Sequence, residues 1–379
     1  MKILINAISA RMGGIVTYTR NLMDSLANSD STVEFAVSQR FPGGERANMM
    51  RVAASDLRPA LRLLWEQTYW RRVVARKKPD VLFSSANFGL LNCPVPQVLL
   101  VREGGLFDPY YLANVSPEQG VLAALQRMAR RRLIIASARS AEQVMTPTAA
   151  MRDLLLLWAP DLEDKIIVNP YGTISQSFSP APSAPREWRA DGVLRLLYVS
   201  VYYPHKRPSF VCQAVEALNN QGIPTHATIT MDRRELDDFL GSAHDRILID
   251  RAIDRQYVTL GRQPYEHLPE LYRNHDIFVF PSISETFGHP MAEAMSSGIP
   301  ILAADTPVNR EVCGDTALYF DPLNLSSLLQ CIKRLDADPA LRMEMIEAGR
   351  TRVLQSYTWD QHVGRLMDIL KATAGQRRN

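Results

Sequence analysis

Two carboxylates eight residues apart, Glu285 and Glu293, stand in the stretch Phe280-Pro-Ser-Ile-Ser-Glu-Thr-Phe-Gly-His-Pro-Met-Ala-Glu293. Acids suit the hydroxyl groups of a ligand, and the free N–H groups of a helix start suit phosphate oxygens. The stretch therefore has the chemistry to hold a polyhydroxylated, anionic molecule. Lys206 and Arg207 follow a strand-like run and precede a helical one, a placement that adds cations to a helix dipole and could grip a pyrophosphate; a surface Lys-Arg pair reads the same way. Gly13 and Gly14 allow close backbone approach to an anion or a sugar, or simply make a tight turn. Gly261 and Arg262 follow another strand end and could border a base. Glu311 either faces a cleft or, as a first-turn acid, stabilises its own helix.

These residues need elements to position them. Asp276–Phe280 reads as a buried strand, and Pro290–Ser297 as a helix whose first position tolerates proline. Earlier, strand Lys2–Asn6 runs into the glycine pair and a helix over Ile15–Ala27, without the GxGxxG spacing of a dinucleotide fingerprint. Strand Val33–Val37, a Gly/Pro/Ala-rich loop, and a basic helix over Leu61–Lys78 follow. Then come strands 80–83 and 96–101, a second basic helix over Pro117–Arg139, and strands 142–145 and 166–168. Ser179-Pro-Ala-Pro-Ser-Ala-Pro185 has neither periodicity nor charge and reads as a linker. Beyond it the alternation resumes: strand 194–200, helix 207–220, strand 225–230, helix 233–251, strand 257–261, helix 265–274, and the opening motif. Strand 299–303, a short helix 307–312, strand 317–320 and three final helices complete the chain. Strands alternating with helices mean parallel pairing, hence an α/β fold of two doubly wound, Rossmann-like domains facing a cleft. The expected division is 1–172 for the first domain, 173–190 for the linker and 191–358 for the second, with 359–379 packing back on the first.

Composition narrows the function classes. The 379 residues are long enough for two domains, and 46% hydrophobic with 22% charged residues is ordinary for a soluble globular protein. Residues 1–190 hold 23 Lys and Arg against 16 Asp and Glu, a balance of +7; the remainder holds 20 against 24, a balance of −4. A basic first half suits an anionic partner or a membrane surface. Aromatic residues among the arginines of 61–78 and 117–139 fit an interfacial surface. A solvated basic face is the preferred reading, because neither helix shows a strongly apolar far side. Cys93, Cys212, Cys313 and Cys331 have no metal-ligand spacing, and no HExxH pair is present, which argues against a zinc site. Met1-Lys-Ile-Leu-Ile reads as a first strand rather than a signal peptide, and no apolar run approaches membrane-span length.

Taken together, Gly13-Gly14 with Tyr18, the Lys206 turn, the Glu285–Glu293 block and Glu311-Val-Cys-Gly-Asp-Thr-Ala-Leu-Tyr-Phe-Asp-Pro322 resemble the retaining glycosyltransferases of the GT-B fold. More narrowly they resemble family 4, of the kind that assembles polysaccharides, O-antigen and lipopolysaccharide. The likeness is strong over the second half and loose over the first. It implies that Glu285 lies beside the donor sugar and Glu293 holds the ribose hydroxyls. Thr286, Phe287, Gly288, Gly14 and Lys206 would contact sugar or phosphates, and the first domain would bind the acceptor. The family commonly has an arginine at Ser200-Val201, for which Arg207 is the substitute here. A His-Asp pair common in the family is replaced by Arg102-Glu103. His289 stands where an aliphatic residue is usual, with a packing role or a sugar contact open to it. The resemblance implies a UDP- or GDP-sugar donor, no metal or other cofactor, a glycan or glycolipid acceptor, and no nucleic acid. The location it implies is cytoplasmic, with possible attachment to an anionic membrane surface. Rival readings are a sugar-nucleotide epimerase and a non-catalytic nucleotide-sugar binding module.

Overall fold

The computed structural model describes residues 1–11, 14–27, 29–173, 178, 187–239 and 242–376. Gly13 and the proline-rich Ser179–Pro185 lie outside them. The chain forms two compact units: Met1–Phe107 with Gln126–Gly172 and Trp359–Asn379, and Asp108–Leu125 with Thr173–Thr358.

In the first unit seven strands, β1 (Lys2–Ala7), β2 (Thr32–Ser38), β3 (Met49–Val52), β4 (Val81–Ser84), β5 (Gln97–Leu100), β6 (Gln143–Thr146) and β7 (Ile166–Val168), pair in the order β3-β2-β1-β4-β5-β6-β7. All the pairings are parallel. β4 and β5 are buried along their whole length, as near-continuous apolar runs with helices on both faces must be. In the second unit β8 (Leu194–Tyr198), β9 (Thr225–Ile229), β10 (Val258–Leu260), β11 (Ile277–Phe280), β12 (Ile301–Ala304) and β13 (Ala317–Phe320) pair in the order β10-β9-β8-β11-β12-β13, again all parallel. Each sheet therefore reverses its winding once, between β1 and β4 and between β8 and β11. Ligands of such sheets bind beyond the carboxyl ends of the strands at that reversal.

Several elements depart from the sequence expectation. The loop after β2 holds an added edge strand, β3, which pairs only with β2 and stays half-exposed along most of its length. The helix Ala149–Leu156, capped by Thr148 Oγ1 accepting from Met151 N at 3.1 Å, supplies the crossover that parallel β6 and β7 require. The expected helix 233–251 is broken. Asp232 and Glu235 close a capping box over the short turn Arg233–Asp238, and a separate helix runs Ala243–Asp254. The second basic helix starts at Gly120, after a 3₁₀ turn Ser116–Gln119. A short helix Pro109–Asn114, capped by Asp108, was also hidden in the sequence. The run 59–77 consists of Pro59–Trp65 and Arg71–Lys77 joined by a π-helical turn, Glu66–Trp70.

The last helix, Trp359–Gly375, belongs to the first unit and is fixed there by an aromatic cluster. Tyr18 packs its ring 5.3 Å from Tyr171, 5.7 Å from Trp359 and 5.5 Å from His362. His362 Nδ1 lies 2.8 Å from the Pro170 carbonyl, to which it can only donate, so Nε2 accepts from the Tyr18 hydroxyl at 3.0 Å. Burial pushes the His362 imidazole down to about 4, which keeps this tautomer neutral. Gly172 completes the joint: a Cβ there would lie 2.5 Å from the Trp359 Cα and 2.8 Å from its nitrogen. Backbone cannot yield as a side chain can. Gly172→Ala should therefore cost roughly 1–3 kcal/mol, the scale of overpacking a tight contact. Urea denaturation measures this, and an unchanged midpoint would contradict the packing described.

Candidate functional site

The reversal between β8 and β11 brings together the two loops that carry Lys206 and Glu285. After β8 the chain runs through a 3₁₀ turn, Pro204–Lys206, into the helix Pro208–Asn220. After β11 it runs through Pro281–Glu285 into the helix His289–Ser297. Ile283 N donates to the His205 carbonyl at 3.0 Å, tying loop to loop. Asn309 Nδ2 donates to the carbonyls of Ser282 at 3.3 Å and Ala304 at 2.8 Å, holding the second loop from below. Tyr198 donates to the Lys206 carbonyl at 3.0 Å.

On this frame Lys206 Nζ and Glu285 Oε1 form an ion pair, with side chains only 14% and 11% exposed. Nζ also lies 5.5 Å from the Phe280 ring centroid, within cation–π range. Burial acts to raise the Glu285 carboxyl, but the Lys206 charge and hydrogen bonds from Lys206 and Ser282 outweigh it and hold the group below its ordinary value. Glu285 is an anion here. His205 is neutral: burial first, then the Lys206 charge, push it down to about 4. Its ring lies between Tyr203 and Tyr111, each at 5.6 Å.

Gly288 gives the loop its turn. Its φ of +80° is left-handed, and a Cβ would meet Met291 Cε at 2.6 Å, so glycine is required on two grounds. The turn starts a nine-residue helix at the strand end, and Met291 N closes it by donating to the Gly288 carbonyl at 3.0 Å. Phe287 is buried against Tyr357 and His289, rings 5.2 Å away in each case. His289 Nδ1 lies 3.2 Å from Thr173 Oγ1. Thr286 is half-buried beside them. Ser284 Oγ is buried and has no protein partner among the described residues.

Glu293 sits one turn into that helix, 5% exposed. Tyr265 donates to Oε1 at 3.3 Å, and the Tyr272 hydroxyl lies 3.1 Å from Oε2 and 3.2 Å from the Pro290 carbonyl. The Tyr272 hydroxyl thus stands between two acceptors, the Glu293 carboxylate and the Pro290 carbonyl. Burial pushes the carboxyl up to about 7, against the two tyrosine hydrogen bonds. Phe178 packs on both tyrosines, at 5.4 and 6.2 Å.

The other sequence candidates fall elsewhere. Arg207 has left-handed φ (+49°), lies over the Phe210 ring at 4.7 Å and donates to the Pro322 carbonyl, so its guanidinium already holds protein groups. Gly261 N donates to Ile229 O at 3.1 Å, and Arg262 Nε pairs with Glu235 at 2.7 Å over the turn 233–238. Glu235 also accepts from Tyr202 N at 2.6 Å, which anchors the loop before Lys206. Glu311 is half-buried, and its carbonyl accepts from Arg352 at 2.6 Å. In the first unit, Gly14 opens the helix Gly14–Ser25 beyond β1. Arg102 lies over Tyr18 at 5.9 Å and Tyr171 at 5.6 Å, with Nη1 buried and unpaired among the described residues. Glu103 is bridged by Arg130 at 2.7 Å and Asn87 at 3.1 Å. Tyr18 is core, its hydroxyl spent on His362. His205, Ser284, Tyr265 and Tyr272 were missed. Only the aromatic pair carried a signal, two tyrosines seven apart on one helical stretch.

The same two-sheet fold recurs in solved glycosyltransferases of the GT-B type. Sucrose-phosphate synthase from Thermosynechococcus elongatus superposes with a TM-score of 0.76 at 18% identity, covering 98% of each chain. HepE of Anabaena, solved in complex with UDP, gives 0.73 at 16%, covering 98% of this chain and 100% of that one. At these identities the likeness establishes the fold. Residues 185–352, within the second half of the chain, match the family model described as glycosyl transferases group 1. The chain is also 30% identical over 166 residues to O-antigen chain mannosyltransferase B of Escherichia coli, covering 43% of this chain and 42% of that one. It thus spans less than half the length of that curated relative.

The state of Glu293 can be measured. Its folded-state value of about 7 lies above the ordinary 4.5, so between them the folded protein holds a proton that the unfolded chain releases. The stability linked to this group is present below the ordinary value and is lost as pH rises through about 7, on the order of 3 kcal/mol in all. Urea denaturation of the wild type and Glu293→Gln from acidic to mildly alkaline pH should show the wild type losing ground to the variant by that amount. Parallel curves would contradict a protonated Glu293.

Proposed function

We propose that this chain is a retaining, metal-independent glycosyltransferase that moves a hexose from a UDP- or GDP-sugar to a hydroxyl of a glycan or glycolipid acceptor. The observation that carries the reading is the Lys206–Glu285 pair beside the Gly288 turn, at the reversal of the β8–β13 sheet and inside the matched domain. The E. coli relative's name, an O-antigen mannosyltransferase, supports a sugar-chain acceptor, and the UDP bound to HepE supports a nucleotide donor.

In this reading the donor's diphosphate lies against Lys206 and the first N–H groups of the helix His289–Ser297. Glu285 lies beside the sugar ring. The ribose hydroxyls donate to Glu293, taking the place of the tyrosine contacts, and the proton on Glu293 leaves to solvent. Binding a nucleoside diphosphate should therefore release protons at pH near 7. The bond from the anomeric carbon to the β-phosphate oxygen breaks as the acceptor oxygen bonds the same carbon on the same face. The acceptor's proton passes to the departing phosphate oxygen, which makes a separate base unnecessary. Lys206 meets the charge that develops on that oxygen, an interaction fixed in place before reaction.

Glu285→Ala should abolish transfer, and Lys206→Ala should lower kcat/KM by about 2–4 kcal/mol of transition-state stabilisation. Each change strands a buried charge, so thermal melts must first confirm a folded variant. Wild-type turnover by folded Glu285→Ala would overturn the assignment. NMR of the new linkage tests retention: a product anomer inverted from the donor's would refute the same-face step.

A further inference from the structure

The helical run 59–77 has an outer face that the proposed chemistry leaves unused. Its inner residues Trp70 and Val74 pack with Leu4, Ile8, Leu82 and Leu90 in the core of the first unit, and Glu66 is buried with them. Spaced four apart across the π-helical turn, they form one line. The opposite face exposes Leu61 (54%) and Leu64 (61%), with Leu57 just before the helix and Tyr69 at its flank. Arg71, Arg72 and Arg76 are exposed beyond them, and Arg58 before them. Residues 57–78 hold seven Arg and Lys and one acid, the buried Glu66. This basic face also carries an apolar stripe, Leu57, Leu61 and Leu64.

We infer that this face docks on an anionic lipid bilayer, with Leu57, Leu61 and Leu64 entering the acyl boundary and the flanking arginines meeting lipid phosphates. Charge selects this occupant. A second copy would set the exposed cations Arg58, Arg71, Arg72, Arg76 and Lys78 against their own kind, whereas anionic headgroups complement them. The layout fits an interfacial helix: apolar residues along one face, long cationic side chains able to reach up to headgroups, and the aromatic pair Trp65–Tyr69, 5.4 Å apart, at the border. The helix Gly120–Ser140 repeats the pattern along its own length, with Val121, Leu122 and Leu125 exposed ahead of Arg130, Arg131 and Arg132. Among the described residues no helix is long and apolar enough to cross a membrane, so the contact would be with its surface.

Flotation of the full chain with phosphatidylcholine vesicles, with and without roughly one third phosphatidylglycerol, tests this. The wild type should float with the anionic vesicles at low salt and much less at high salt. Leu61→Ser/Leu64→Ser should lose most of that binding, and Arg71→Gln/Arg72→Gln should lose the preference for anionic lipid. Leu354→Ser, an exposed leucine elsewhere (53%), should float like the wild type. Unchanged melting temperature and nucleoside-diphosphate binding in each variant would separate this surface from the donor site. The inference is overturned if the wild type stays unbound to anionic vesicles at low salt, or if the leucine double variant floats as the wild type does. It is equally overturned if light scattering shows a wild-type dimer that this double variant abolishes.

Discussion

The buried pair of Lys206 and Glu285 is the interaction on which the chemistry proposed for the second unit depends. Neither charge tolerates its position alone. Removing one partner from a buried pair costs several kcal/mol because the other is left without compensation. The pair is possible because the winding reversal places β8 beside β11, so that successive crossovers depart in opposite directions and leave a gap at the strand ends. Two loops fill that gap, cross-tied by Ile283 N and the His205 carbonyl, and each brings one charge. Around the pair, neutral His205 and a left-handed Gly288 turn set a cation, an anion and a helix start within one small region. Such an arrangement pays its desolvation cost during folding and has little left to reorganise when an anionic ligand arrives.

Glu293 shows the complementary device. The same helix carries an acid that burial pushes up to about 7, with two tyrosines as partners. Two carboxylates eight residues apart are thereby pushed in opposite directions by their surroundings: one down beside a lysine, the other up among aromatic rings. The first unit has a different character. Its last helix is keyed by the Tyr18–His362 hydrogen bond and the Gly172 contact, and its outer helices expose leucines among arginines. Much of the +7 balance of residues 1–190 resides in that outer face.

Much of this was legible in the sequence because it is local. A strand, a glycine turn and a proline-started helix announce themselves within fifteen residues, and so the Glu285–Glu293 block, the Lys206 turn and the two doubly wound sheets were all readable. What was hidden depends on distance or on phase. Tyr265 and Tyr272 matter only because the fold brings their hydroxyls to an acid more than twenty residues on. The edge strand β3, Met49-Met50-Arg51-Val52, is only four residues long and interrupted by a charge, too short a signal to separate from the loop around it. Across 59–77 the π turn shifts the helix phase, so the buried residues Glu66, Trp70 and Val74 fall four apart rather than on a 3.6-residue repeat. At 233–254 the expected single helix is a short turn, Arg233–Asp238, started by a capping box, and a separate helix, Ala243–Asp254.

The claim that the Lys206–Glu285 region is a nucleotide-sugar donor site is tested most directly by calorimetric titration of the full chain with UDP, GDP, ADP and dTDP. One diphosphate should bind one to one, with Lys206→Ala binding it at least tenfold more weakly and proton release absent in Glu293→Gln. Absence of binding by all four, or equal binding by the Lys206→Ala chain, would contradict it.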